Sequence, residues 1–362
     1  MRRWLSVLVV GLNLGVGHWA AAAPANLGPV VDRGMAYLAG AQAEDGSFSK
    51  QAGPGVTALI ASAMLRNGRS ADDPVVAKAL AYVLANARPD GGIYAEGSRY
   101  KNYETCLAIM CLEDADAEGK YDAQLQKAGD FVKGIQWDKD EGHDESSDSY
   151  GGAGYGSHNR PDLSNTAFLM DALEELEVSD DDPAVERALV FISRCQNLET
   201  EHNQTKFATL NPDGGFYYTI AAGGSSQAGA NPNGGLRSYG SMTYAGLKSM
   251  LYAGVQKDDP RVKAAVEWAK QHYTLEENPG LGDAGLYYYY QTFAKAHGAI
   301  GDDQVADATG AEHDWRQELV DELASRQQPD GSWINQNDRW MEADPNLATG
   351  FSLLALAHCR DK

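Results

Sequence analysis

Four carboxylates, Glu104, Asp162, Asp283 and Asp344, each stand at the start of a small, apolar, helix-forming segment. Two carboxylates brought into one pocket can act as a general acid and base. As N-cap or first-turn residues the same groups can do no more than satisfy free backbone N–H groups. Polar and aromatic residues accompany them: Tyr103, Asn165, Tyr239, Tyr244, Tyr287, Tyr288, Trp340 and Asn346. Tyrosine joins an apolar face to a polar tip, which suits stacking on a sugar or lining a hydrophobic pocket, and its ring can stabilise a cation. The run Tyr287–Tyr290 covers every face of one helix, so only one or two of its rings can reach a pocket.

Other chemistry is weaker. The acidic segment 137–162 spaces Asp138, Asp140 and Asp144 in a loosely calcium-loop-like way, but glycine and terminal Glu are misplaced, so it reads as a solvated loop. His143 and His158 within it can titrate near neutrality. Cys106, Cys111, Cys195 and Cys359 form no CxxC pair and no zinc-finger spacing with histidine, and are expected as buried thiols. No metal and no cofactor is expected.

The elements that would position these residues repeat. "ADDPVVAKALAYVLA" (71–85), "DDDPAVERALVFISR" (180–194) and "KDDPRVKAAVEWAKQ" (257–271) each begin with an Asp cap and a Pro at the first helical position, then run amphipathically. They are outer helices. "GVTALIASAML" (55–65), "SNTAFLMDALEEL" (164–176), "SMTYAGLKSMLYAG" (241–254) and "LATGFSLLALAHC" (347–359) are small and apolar all round, with Thr near the start; they are inner helices. Thr57 to Pro74, Thr166 to Pro183 and Thr243 to Pro260 are each 17 residues, whereas the Asp-Gly turn to the next Thr varies from 12 (Asp45 to Thr57) to 30 (Asp213 to Thr243). Short connectors therefore lie at one end and all the variable loops at the other. Six outer/inner pairs suffice to close an all-α, α/α toroid (an α6/α6 barrel). The Asp-Gly turns at Asp45, Asp90, Asp213 and Asp330 lead each outer helix into an inner one, and Phe48, Ile93 or Tyr94, Phe216 and Trp333 after them are expected to wedge between pairs.

"LASRQQPDGSW" (323–333) and "AYLAGAQAEDGSF" (36–48) resemble the glutamine–tryptophan repeat of squalene-hopene cyclases. Across the mature chain the pattern resembles the terpenoid cyclase/protein prenyltransferase α/α-toroid superfamily, most of all its bacterial prenyltransferase and squalene oxidase repeat proteins. The resemblance implies the toroid and a central pocket. It does not carry over a known activity. The cyclase DxDD acid has no match: "EDADAEG" (113–119) lacks the final Asp pair, and "SDDDP" (179–183) is a helix cap. Glu104-x-Cys106 with distant His358 echoes the prenyltransferase zinc set only in part, and the thioester GCGEQ is absent.

Residues 1–25, two arginines, an apolar run and an alanine cluster, read as a secretory signal peptide cut after Ala22 or Ala25, leaving 26–362 as a single exported domain, periplasmic or extracellular. With a net charge of −21, nucleic acid and anionic membranes are excluded as partners, and no later stretch is long enough for a membrane span. The expected partner is a small-molecule or oligomeric ligand in the central mouth, an isoprenoid or another hydrophobic molecule. The alternatives are an enzyme on carbohydrate polymers, lyase or hydrolase, and a non-catalytic interaction scaffold. Function is expected at the long-loop end, beneath a lid formed by 223–235.

Overall fold

The computed structural model describes residues 24–116, 118–156 and 160–360, so residues 1–23 of the expected signal peptide, and His158, lie outside the described residues. The Asp-Pro starts do what their chemistry dictates. Asp73, Asp182 and Asp259 accept the N–H groups of Val75, Ala184 and Arg261, with Pro at the first helical position. The outer helices are α1 (Leu27–Ala41), α3 (Pro74–Ala85), α5 (Asp122–Gly134), α7 (Pro183–Arg194), α10 (Pro260–Gln271) and α12 (Trp315–Arg326). The inner ones are α2 (Pro54–Arg66), α4 (Lys101–Ala115), α6 (Leu163–Glu175), α9 (Gly240–Tyr252), α11 (Leu286–Ile300) and α13 (Pro345–Ala357). A short extra helix, α8 (Lys206–Leu210), sits in the long 195–239 connection. Each inner helix packs on the next, and α13 packs back on α2, so the ring is closed rather than an open stack.

The repeated Thr and Asp-Gly strings turn out to be two halves of one joint. Thr57, Thr105, Thr243 and Thr349 accept, through Oγ1, the backbone N–H of Phe48, Ile93, Phe216 and Trp333, the residues just after the turns. Thr166 does the same for Ala153, after a fifth turn at Gly151 that has no Asp-Gly. Glutamines link neighbouring pairs. Gln42, Gln136, Gln196 and Gln327 each donate both to the turn glycine carbonyl and to a carbonyl in the first turn of the next outer helix. The last of these, Gln327 to Val30, ties α12 to α1 across the closing seam. Gly331 at φ +93° would place a Cβ 2.4 Å from the Arg33 carbonyl, so both conformation and space demand glycine there. Trp333 is fully buried, donates from its indole to the Leu323 carbonyl, and packs on Gly34 of α1.

One expectation of loop placement is corrected. The α11–α12 connector is long and carries an antiparallel hairpin, β1 (Val305–Ala306) with β2 (Glu312–His313), at the short-connector end. His313 stacks on Tyr273 and meets Glu318 at 2.9 Å, which anchors the hairpin without a longer sheet. The four cysteines are buried free thiols.

Candidate functional site

All six inner helices begin at the long-loop end, and their first turns surround a cavity of about 670 Å³. The floor is aromatic. Tyr103 of α4 meets Phe168 of α6 edge-on at 4.9 Å; Phe168 stacks on Tyr288 of α11 at 6.0 Å; Tyr288 meets Phe351 of α13 at 5.7 Å. The Tyr288 hydroxyl is within 3.0 Å of Ser164 Oγ. The walls rise through Tyr155, Tyr218 and Tyr239, and the rim is formed by Tyr100, Trp340 and Met341. Those three rim residues are the exposed large hydrophobic side chains among the described residues.

Of the predicted site residues, Tyr103, Glu104, Asn165, Tyr239, Tyr288 and Trp340 line this cavity. Asp162 lies directly behind it. It caps α6 through the Asn165 N–H, accepts from Asn165 Nδ2 at 2.8 Å, and hydrogen-bonds Tyr218. Burial raises its carboxyl to about 6 despite these partners. Glu104 is also raised by burial, but its oxygens are engaged by the Ala95 N–H at 2.7 Å and the Ser98 hydroxyl, fixing the 95–98 loop.

The remaining candidates do not reach the cavity. Asp283 is exposed, and its backbone carbonyl accepts from Asn335 instead. Asp344 caps α13 and, with Asn346, borders a separate shallow depression; Asn346 bonds Tyr37 and Ser49. Tyr244 is buried between Tyr289, Phe293 and His297, and Tyr287 points its hydroxyl at the Ile334 carbonyl. The physical reason is helical phase: on α9 and α11 these residues fall on the faces turned to neighbouring pairs. The acidic loop is tied to α7 and to itself: Asp138 pairs with Arg187, Arg194 donates to the Glu145 and Ser147 carbonyls, and Asp144 is bound to Ser146. Among the described residues no cluster of three His, Cys, Asp or Glu side chains could hold a metal ion.

Two features escaped the sequence reading. Glu342, from the loop before α13, accepts the Tyr287 and Tyr288 N–H groups and Asn335 Nδ2, capping a helix that has only Gly285 in front of it. Nothing local in the sequence signals a cap from so far away. The second is a plug below the aromatic floor. Asp171 of α6 accepts from Lys248 of α9 at 2.5 Å and Lys295 of α11 at 3.1 Å. Arg66 joins Asp114 and Glu175 nearby. Burial alone would raise the Asp171 carboxyl, but the two ammonium groups hold it below its ordinary value, while burial pulls Lys248 down to about 8. The plug's three charged side chains are buried between α6, α9 and α11. A charged residue in the third turn of three largely apolar inner helices, Asp171, Lys248 and Lys295, was its available signal. Phe168 and Phe351, each two residues after a repeated Thr, were legible in the same way.

Residues 50–221 match the squalene-hopene cyclase C-terminal domain. No curated protein matches the chain in sequence. Solved structures share its fold at low identity. A protein from Actinoplanes superposes with a TM-score of 0.54 at 13% identity, over 92% of this chain and 99% of that one. The type II terpene cyclase MstE from Scytonema gives 0.53 at 14%, over 92% and 97%, and a variant of it is known in complex with its substrate geranylgeranyl dihydroxybenzoate. A glycosyl hydrolase family 88 protein from Bacteroides vulgatus gives 0.54 at 11%, over 92% and 97%. At these identities the likeness to solved structures is one of fold, and it spans nearly the whole described ring. With the repeat strings, the closed ring of six helix pairs and the match at 50–221, the chain is an α/α toroid that resembles the terpenoid cyclase/protein prenyltransferase superfamily.

Proposed function

We propose that this chain, exported by its N-terminal segment, binds an elongated apolar ligand of the isoprenoid kind in the mouth cavity. One observation carries the reading: a cavity of about 670 Å³ whose floor is built from Tyr103, Phe168, Tyr288 and Phe351. Ligand pockets of roughly 300–1,000 Å³ lined by aromatic side chains with a few polar groups are the usual form of a small-molecule site. The substrate of the Scytonema cyclase, with its geranylgeranyl chain, supports the same chemistry in a toroid of this shape.

The carbohydrate reading draws support from the shared toroid of the hydrolase and from the tyrosine walls. Against it, two of the three carboxylates lining the cavity, Glu104 and Glu342, are held by protein N–H and O–H donors instead of facing each other across an open groove, and the third, Glu96, is exposed. A scaffold role fits less well still, because among the described residues the exposed large hydrophobics are confined to the mouth.

Calorimetric titration with farnesol and geranylgeraniol, beside neutral and acidic oligosaccharides, tests the reading. Saturable isoprenol binding that weakens in Trp340→Ala is expected. Saturable binding of an oligosaccharide with none of either isoprenol would overturn it.

A further inference from the structure

The wall of the cavity carries an acceptor that the protein leaves unmatched. Asn165, in the first turn of α6, lines the cavity and is 2% exposed. Its Nδ2 donates to Asp162 Oδ2 at 2.8 Å and its backbone N–H to Asp162 Oδ1 at 2.9 Å. Its backbone carbonyl accepts from Asn102 Nδ2 at 3.3 Å. Its side-chain oxygen Oδ1 is buried and has no hydrogen-bond partner among the described residues.

Asp162 dictates which way this amide is turned. Above a pKa of about 6 the carboxyl is ionised and can only accept. The neighbouring donors therefore point inward to it, Nδ2 from Asn165 and the hydroxyl from Tyr218. Reversing the amide would set its oxygen against a carboxylate oxygen. With the nitrogen committed, the amide has only an acceptor left to offer. Tyr155 completes the patch, its hydroxyl beside Tyr218 and the Asn165 amide. A buried acceptor without a partner is costly, and in a native fold it calls for a donor from elsewhere. Tyr155, Asn165 and Tyr218 all line the cavity, so the donor comes with what fills it. The charged lining residues are Glu96, Glu104 and Glu342 against Arg99, a balance that favours a neutral ligand over an anion.

We propose that Asn165 Oδ1 accepts a hydrogen bond from a ligand hydroxyl, so that the ligand of this site is a neutral, largely apolar alcohol or phenol with its O–H on the Asp162–Asn165 wall. The inference rests on the apolar-ligand reading and adds the ligand's polar group and its sense, a donor. An ether of the same shape brings a second acceptor to Oδ1 and leaves both unpaired, and a site built around a hydroxyl rejects an analogue that lacks it.

The test compares farnesol with farnesyl methyl ether by calorimetry at about pH 8, where Asp162 is ionised, on the wild type and on Asn165→Leu. The two probes share the hydrocarbon chain and the oxygen and differ in the O–H. The wild type is expected to bind the alcohol at least about tenfold more tightly than the ether. Asn165→Leu removes the acceptor and should bind the two alike, by losing affinity for the alcohol. Its retained affinity for the ether shows that the cavity is still formed. Should that variant fail to fold, the wild-type comparison decides by itself. Equal binding of alcohol and ether by the wild type, as when a water already serves Oδ1, overturns the proposal and leaves the apolar-ligand reading intact. A preference for the alcohol that survives in Asn165→Leu also overturns it, because the hydroxyl is then read elsewhere. If neither probe binds, the apolar-ligand reading falls and this one with it.

Discussion

The carboxylate of Glu342 accepts the backbone N–H of Tyr288 at 2.8 Å, across 54 positions of sequence. This contact joins the loop that carries the rim to the helix that carries the floor. It holds Trp340 and Met341 with left-handed backbone, φ 55° and 65°, and lays the Trp340 ring against Gly285. Non-glycine residues in that region cost of order 1–3 kcal/mol each and persist where their surroundings overdetermine them.

Glu342→Ala should therefore release the rim. The expected loss is roughly 1–3 kcal/mol, from leaving the α11 amides unsatisfied. Hydrogen exchange should accelerate first at Tyr287 and Tyr288. Unchanged protection there would refute the long-range cap.

Asp162 gives a pH signature. Its folded-state pKa of about 6 lies above the roughly 3.9 of an unfolded Asp. The folded state thus holds a proton that the unfolded chain has lost. The associated stability is present below about pH 4, falls away as pH rises through 6, and leaves a penalty of roughly 3 kcal/mol at neutrality. Asp162→Asn keeps the helix cap and removes the titration. The stability difference, wild type minus variant, should decline from pH 4 to 6.5; a flat difference contradicts the burial argument.

The plug should behave as a buried ion cluster. Asp171→Ala strands two ammonium groups and is expected to cost roughly 3–5 kcal/mol in urea unfolding. Changing Asp171 to Leu together with Lys248 and Lys295 to Met should recover most of that loss. If the triple variant is no more stable than the single one, charge is not what the plug contributes.

His297 sits among Tyr244, Phe293 and Trp315 with neither ring nitrogen hydrogen-bonded, and burial pulls its pKa down to about 3. Its stability contribution is present above the unfolded value near 6.5 and is lost as pH falls toward 3. His297→Phe should match or exceed wild-type melting at pH 7 and resist acid better between pH 5 and 4. A large loss at pH 7 would mean that the imidazole has a polar role.

Trp333→Ala opens the closing seam between α12, α1 and α13. A cost of roughly 3–5 kcal/mol is expected for a fully buried aromatic. Thermal melting equal to wild type would remove the wedge from the account of ring closure.

What the sequence determined by itself was the ring. Asp-Pro caps, helical periodicity and Asp-Gly turns are local chemistry, repeated closely enough that their spacing gave six pairs, inner against outer, and placed the mouth at the long-loop end. The joints themselves needed tertiary structure, because Thr57 and Phe48, or Gln327 and Val30, meet only when the chain has turned. So did the choice of lumen-facing side chains. Four consecutive tyrosines on α11 are equivalent to a pattern reading, and helix phase in the packed ring sends Tyr288 into the cavity and Tyr287 toward Ile334. Glu342 capping α11, and Asp171 shared by lysines from two other helices, depend on residues that are remote in sequence and adjacent only after closure. Local rules act within a few residues, whereas burial, and the charge pairing it compels, is decided by everything that surrounds a side chain.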